Sequence, residues 1–311
     1  MATAGQMRPA AHITTPKYRR KWAFEANASF SPRAAAPNRL KSRLCRAPLP
    51  ALAYHDLLTS GFCQRAKSNR IRGARRMNRE YHEGESARLG RSMELLVFGH
   101  AGLPVLVFPT SGGRFFQFED CGMVAALAAR INAGELQLFC VDSVDRESWY
   151  NRQVAPCRRI ARHMDYEAYL LLEVLPFIRE KNRDPRLLAL GCSFGGYHAV
   201  NIALRHPDLF SGFFSMSGAF DLTPFLDGYY DEDCYFHLPT HYLPRLDDPW
   251  FLDRFRARSY VLATGWDDQC LAQNQQLDRI LSEKGIPHRF HVWDAPNTHD
   301  WPTWQRMVQH I

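Results

Sequence analysis

Ser193 stands between Gly191 and Gly195, and further along the chain come two adjacent carboxylates, Asp267 and Asp268, and then His299. A hydroxyl, a carboxylate and an imidazole can together turn an alcohol into a nucleophile. The imidazole takes the hydroxyl proton, while the carboxylate fixes its tautomer and steadies the positive charge that results. The chemistry such a set offers is acyl transfer through an ester on the serine. Other histidines fit the role less well. His198 and His206 belong to the helical stretch after Ser193, whereas His288 and His291 are three apart in a strand-like run and so face opposite ways. His163 and Asp165 lack further ligands at metal-site spacing. Asp300 is a poorer carboxylate than the aspartate pair, because next to a closing helix its side chain is suited to capping.

These groups need elements that bring them together. Leu187 to Val200 reads LLALGCSFGGYHAV: an apolar run, a serine between glycines, and at once a helix-compatible segment. Strand, sharp turn and helix around Gly-x-Ser-x-Gly is the nucleophile-elbow pattern of serine hydrolases with an α/β sheet. The turn forces Ser193 into a strained conformation in which only glycine fits two residues either side. Carboxylate and imidazole then follow in the order Ser, acid, His that this arrangement uses.

The rest of the chain supplies a matching frame. Arg79 to Ala87 and Ser92 to Gly99 read as an antiparallel pair, and Leu103 to Pro109 as a strand buried on both faces. A helical pattern from about Phe118 to Asn132, a strand at Leu136 to Val141 and an amphipathic helix at Asp165 to Arg179 follow. Phe210 to Ser217, Tyr260 to Thr264 and His288 to Trp293 give further strands. The helix from about Leu271 stops before Gly285, and Pro302 opens a closing helix. Strands separated by helices predict an α/β fold: a mainly parallel central sheet with helices on both faces. Between 219 and 256 the rhythm breaks into an insert rich in aromatics, among them Tyr229 and Tyr230. It reads either as a cap that shapes a pocket or as a surface subdomain packed on itself. Trp149 and Tyr150, in the polar loop after the strand at Leu136, are further candidates for substrate contact.

Composition narrows the class. The chain has 311 residues, 46% hydrophobic and 23% charged, with no run long enough to span a membrane and no secretory signal pattern. The eight cysteines fall singly, without zinc-type pairs, so reduced thiols in a cytoplasm are expected and no metal or cofactor is called for. Of the net charge of +7, residues 1–76 hold twelve arginines and four lysines against Glu25 and Asp56, a balance of +14, which leaves the remaining 235 residues at −7. Segment 1–76 shows no sustained periodicity and is expected to be disordered. It could be a transit peptide, a nucleic-acid-binding arm, or a tail without selected function created by a start upstream of a natural beginning at Met77. The last reading is preferred, since no recognition motif accompanies the charge. Residues 77–311 are then the folded domain.

Gly191-Cys192-Ser193-Phe194-Gly195-Gly196, the turn Gly265-Trp266-Asp267-Asp268 and the end His299-Asp300-Trp301 resemble the putative-esterase family of α/β-hydrolases. That family includes S-formylglutathione hydrolase, enterochelin esterases and mycobacterial mycolyltransferases. The resemblance runs from about Met77 to the C-terminus and implies the α/β-hydrolase fold with catalytic Ser193, Asp268 and His299. It favours Asp268 over Asp267. It further implies an oxyanion hole made by the N–H of Phe194 and by that of Gly112 or Ser111. Here the chain departs from its relatives, having Pro109-Thr110-Ser111-Gly112-Gly113 where they often carry His-Gly or Asp-Gly. The implied activity is a serine carboxylesterase acting on a small-molecule ester or thioester. An acyltransferase, or an inactive hydrolase-fold binding protein whose basic tail engages nucleic acid, are the alternatives. Nucleic acid is not the expected partner, and the sequence leaves homo-oligomerisation open.

Overall fold

The structure is a computed structural model that describes residues 77–311. The expectations for segment 1–76 lie outside the described residues.

Apolar runs that must be covered on both faces dictate the centre of the sheet. In β3 (Leu103–Phe108) and β4 (Leu136–Val141) every residue except Leu103 is buried, and so is all of β5 (Leu188–Cys192) after its first residue. Around them lie β1 (Arg79–Ser86), β2 (Arg91–Phe98), β6 (Gly212–Met216), β7 (Ser259–Gly265) and β8 (Arg289–Trp293). The eight strands pair in the order β1-β2-β4-β3-β5-β6-β7-β8. The contacts β1·β2 and β2·β4 are antiparallel and all others parallel. This is the mainly parallel α/β-hydrolase sheet. One face is covered by a core in which Leu96, Val105, Leu138, Leu190 and Phe214 meet Met123, Ile131, Trp304 and Met307. Each such side chain contributes roughly 1.5–3 kcal/mol by leaving water.

Parallel register decides where chemistry can sit. Phe108 pairs with Gly191 and Gly191 with Ser215, so β3, β5 and β6 end level with one another. The loops after them, and those after β7 and β8, open on one rim, the edge at which sheets of this kind carry their sites.

Helices depart from the sequence expectations in two places. The helix expected from about Phe118 to Asn132 is three short pieces, α1 (Gln117–Asp120), α2 (Met123–Ala126) and α3 (Ala128–Asn132). Gly122, at φ 76°, breaks the first from the second. The helix expected from Asp165 starts nine residues earlier. It runs as α4 (Pro156–Tyr169), one π turn at Leu170–Val174, and α5 (Leu175–Lys181). Pro156 takes the first helical position, where its missing N–H leaves no bond unmade.

After β5 comes α6 (Phe194–Arg205), and the insert between β6 and β7 holds α7 (Glu232–Phe236), α8 (Pro239–Tyr242) and α9 (Pro249–Arg256). The last two helices are α10 (Leu271–Glu283) and α11 (Trp301–Met307). The insert is anchored to α6. Tyr197 Oη donates to His237 O (3.0 Å), and the buried Arg205 donates to Phe236 O (3.0 Å). Among the described residues no helix is long and apolar enough to cross a membrane.

Candidate active site

Ser193 occupies the corner between β5 and α6 with φ 55° and ψ −122°, a conformation that costs a non-glycine residue about 1–3 kcal/mol. The end of β6 and the loop that follows it hold it there. Its N–H donates to Met216 O (2.8 Å), and its carbonyl accepts from Ala219 N (3.2 Å). The flanking glycines are required by close approach. A Cβ on Gly191 would lie 2.2 Å from Gly195 O, and one on Gly195 would lie 2.5 Å from Pro109 O.

His299 lies in the loop between β8 and α11. Asp300 caps α11 by accepting from Thr303 N (2.9 Å), which fixes the backbone beside the histidine. The Trp304 ring, one turn into the helix, meets the imidazole edge-on at 4.9 Å. Trp304 is itself tied down through its indole N–H, which donates to Ser217 Oγ (2.9 Å). The result is a continuous line: His299 Nε2 is 2.9 Å from Ser193 Oγ, and His299 Nδ1 is 2.9 Å from Asp268 Oδ1. Asp268 reaches the ring from the turn after β7, where its side chain is fully buried, whereas Asp267 beside it is exposed. Burial pushes the Asp268 carboxyl up. The hydrogen bond and charge of His299 outweigh it, helped by the Cys270 N–H that donates to Oδ1 (2.7 Å), and hold the group below the usual carboxylate range.

The loop after β3 follows Pro109, whose carbonyl meets Gly195, and its N–H groups are unequally committed. Thr110 N donates to Gln117 Oε1 (2.9 Å), Gly113 N to Thr110 O (2.8 Å) and Gly112 N to Asp145 Oδ2 (3.2 Å). Ser111 N–H has no acceptor among the described residues. The expectation that Gly112 supplies an oxyanion donor is therefore corrected: its N–H is engaged by a buried carboxylate, and Ser111 is the remaining candidate. Phe194 N–H is the first of α6, among those that helix geometry leaves unpaired.

The four aromatic candidates separate. Tyr150 is half-buried beside the loop, with its hydroxyl donating to Ser111 Oγ (2.8 Å) and its ring against Phe194 (5.1 Å) and Phe225 (4.8 Å). Trp149 is 0% exposed and packs against His163 and Tyr197, so the expected substrate contact is overturned for it: it is a core residue. Tyr229 and Tyr230 hydrogen-bond within the insert, to Asp231 and His241, and neither bonds to the triad or to the loop at 110–113. From the insert it is Phe225 that reaches the Tyr150–Phe194 pair, at 4.8 and 5.9 Å. Residue type and spacing gave Phe225, Asp145 and Gln117 no particular role: the partners of the first two lie far away in the chain, and Gln117 is placed by the turn that brings Thr110 to it.

Among the described residues, one group of potential metal ligands has its ligand atoms within 4.8 Å of one another: Asp268, Cys270 and His299. The first and last are engaged with each other, and burial pushes the Cys270 thiol well above its ordinary range, which disfavours the thiolate a metal needs.

A hydroxyl in hydrogen-bond reach of an imidazole that is oriented by a buried carboxylate, beside N–H groups without acceptors, is equipped for acyl transfer. The family model described as Putative esterase matches residues 86–310. A ferulic acid esterase structure superposes with a TM-score of 0.62 at 18% identity, over 75% of this chain and 96% of the other. An S-formylglutathione hydrolase from Staphylococcus aureus superposes with 0.58 at 18% identity over 78% and 97%. MPT51 of Mycobacterium tuberculosis gives 0.56 at 14% identity over 75% and 96%. At these identities the likeness shows a shared fold. None of the curated proteins searched matches the chain. With sheet and family match in accord, the chain belongs to the Putative esterase family and has the α/β-hydrolase fold.

Proposed function

We propose that this chain is a serine carboxylesterase that hydrolyses a small-molecule ester or thioester through Ser193, His299 and Asp268. The observation that carries the reading is the unbroken line of two 2.9 Å contacts from Ser193 Oγ through the imidazole to Asp268 Oδ1. Ser193 Oγ attacks the substrate carbonyl while His299 Nε2 takes its proton, and Asp268 keeps the other ring N–H directed at itself. The tetrahedral oxyanion is met by the N–H groups of Phe194 and Ser111, aided by the positive end of α6. His299 then protonates the departing alcohol or thiol, and water activated by the same ring releases the acid from the serine. Tyr150 forms the aromatic side of the acyl site, braced by Phe225.

The test is turnover of p-nitrophenyl acetate together with labelling by a fluorophosphonate probe. Ser193→Ala is expected to lose both, with hydrolysis reduced by about 10⁴-fold or more. Wild-type-like turnover in that variant would remove Ser193 as nucleophile. Product analysis with an added alcohol is expected to give chiefly free acid, and a dominant transesterified product would make the chain an acyltransferase instead.

A further inference from the structure

The proposed oxyanion hole draws its two donors from two separate elements, Phe194 N–H from α6 and Ser111 N–H from the loop after β3. Catalysis by such a hole depends on the donors keeping a fixed spacing, since their value lies in being aimed in advance at the charge that develops. One side chain spans both elements. Asp145, in the loop after β4, is 0% exposed and belongs to neither the triad nor the hole. Its Oδ2 accepts from Gly112 N–H (3.2 Å), the residue next to Ser111. Its Oδ1 accepts from His198 Nε2 (2.8 Å), one helical turn along α6 from Phe194. His198 is itself immobilised: its ring stacks on Phe108 at 5.5 Å and meets the Phe194 ring edge-on at 5.1 Å.

The same segment grips the loop elsewhere. Ser143 Oγ donates to Gly113 O (2.9 Å), Arg146 Nε to Gly112 O (3.3 Å) and Tyr150 Oη to Ser111 Oγ (2.8 Å). Tyr150 also reaches α6, but by ring packing on Phe194 (5.1 Å). Asp145 differs in joining the loop and that helix by hydrogen bonds at both ends. A buried carboxylate is a costly way to fill space and needs partners on both oxygens, which is what these two elements provide.

We propose that Asp145 is a positioning residue for the oxyanion hole: by bonding Gly112 N–H with one oxygen and His198 with the other, it sets the distance between the Ser111 and Phe194 donors. The proposal rests on the esterase reading for its catalytic consequence, while the clamp itself is measurable without any activity.

Asp145→Ala removes both acceptor oxygens, so neither Gly112 N–H nor His198 keeps its partner, whatever tautomer the ring adopts. In that variant kcat/KM for p-nitrophenyl acetate is expected to fall about 10- to 100-fold, with KM changed by less than about threefold. The inhibition constant of an aryl trifluoromethyl ketone, whose hemiketal oxygen occupies the hole, is expected to rise by a comparable factor. Amide hydrogen exchange in the peptide spanning 108–117 is expected to accelerate. If Asp145→Ala does not fold, His198→Ala removes one of the two partners and is expected to give the same pattern at smaller size. Unchanged exchange in the loop overturns the clamp whatever the activity, and a fall in kcat without weaker ketone binding overturns its role in the hole. Faster exchange in an Asp145→Ala protein whose wild type neither turns over esters nor takes the fluorophosphonate probe overturns the esterase reading instead, and with it the catalytic role given to Asp145.

Discussion

Helix α6 touches the end of β3 backbone to backbone: a methyl group on Gly195 would stand 2.5 Å from the carbonyl oxygen of Pro109. Neither partner can yield as a flexible side chain could. Gly195→Ala is therefore expected to push the helix and its Phe194 N–H away from the loop at 110–113. Ester turnover should fall at least tenfold, with a stability loss on the order of 1–3 kcal/mol, read by steady-state kinetics and thermal denaturation.

The two adjacent aspartates provide an internal control. Asp268→Asn places an amide against His299 Nδ1 and favours the wrong tautomer, so kcat is expected to drop by about 10³- to 10⁴-fold with little change in KM. Asp267, exposed beside it, should tolerate the same substitution within about threefold. Equal losses in the two variants would contradict the roles given to them.

Tyr150 bonds to the loop through Ser111 Oγ and packs its ring against Phe194 and Phe225, and two substitutions separate these contributions. Tyr150→Phe deletes the hydroxyl that bonds Ser111 Oγ, keeps the ring, and is expected to lower kcat/KM by about three- to tenfold. Tyr150→Ala also removes the ring and should raise KM for benzoate esters more than for acetate esters. Trp149→Phe, by contrast, is expected to lower the melting temperature and leave KM unchanged, because that ring faces the core.

Acid should destabilise the fold from behind the site. His237, buried between the insert and α6, is pushed down to about 3, by burial first and then by the positive charge of Arg205. The unfolded chain protonates this histidine near pH 6.5 and the folded chain does not, so stability is full above about pH 6.5 and falls as pH drops toward 3. The slope from this one group is at most about 1.4 kcal/mol per pH unit. Glu167 adds to the loss at the acid end. Burial pushes its carboxyl up, but Arg205 and the neighbouring histidines hold it well below the usual carboxylate range, so its contribution is present above about pH 4.3 and lost below. Melting temperatures between pH 7 and 4 should decline, and His237→Asn should flatten that decline.

Much of this was legible locally. Strand-turn-helix around Ser193, the buried-type strands and the parallel α/β class follow from apolar runs and glycine spacing, which act over a few residues. That Ser193, Asp268 and His299 follow one another in this order could be read along the chain as well. Local pattern alone did not find the break at Gly122 or the early start of α4 at Pro156, because a propensity window averages over single residues that set a helix boundary.

Relations between distant segments were decided by tertiary structure. Sequence could name Trp149 and Tyr150 together, yet packing turned one into the core and left the other beside Ser111. It could place Gly112 and Ser111 in one loop, but whether an N–H is free depends on a carboxylate that lies 33 residues away from Gly112. Residue type and spacing determine which groups a chain possesses and which elements carry them. The choice of partners for those groups depends on which side chains the sheet register brings within 3 Å, and that distance is fixed only when the strands have paired.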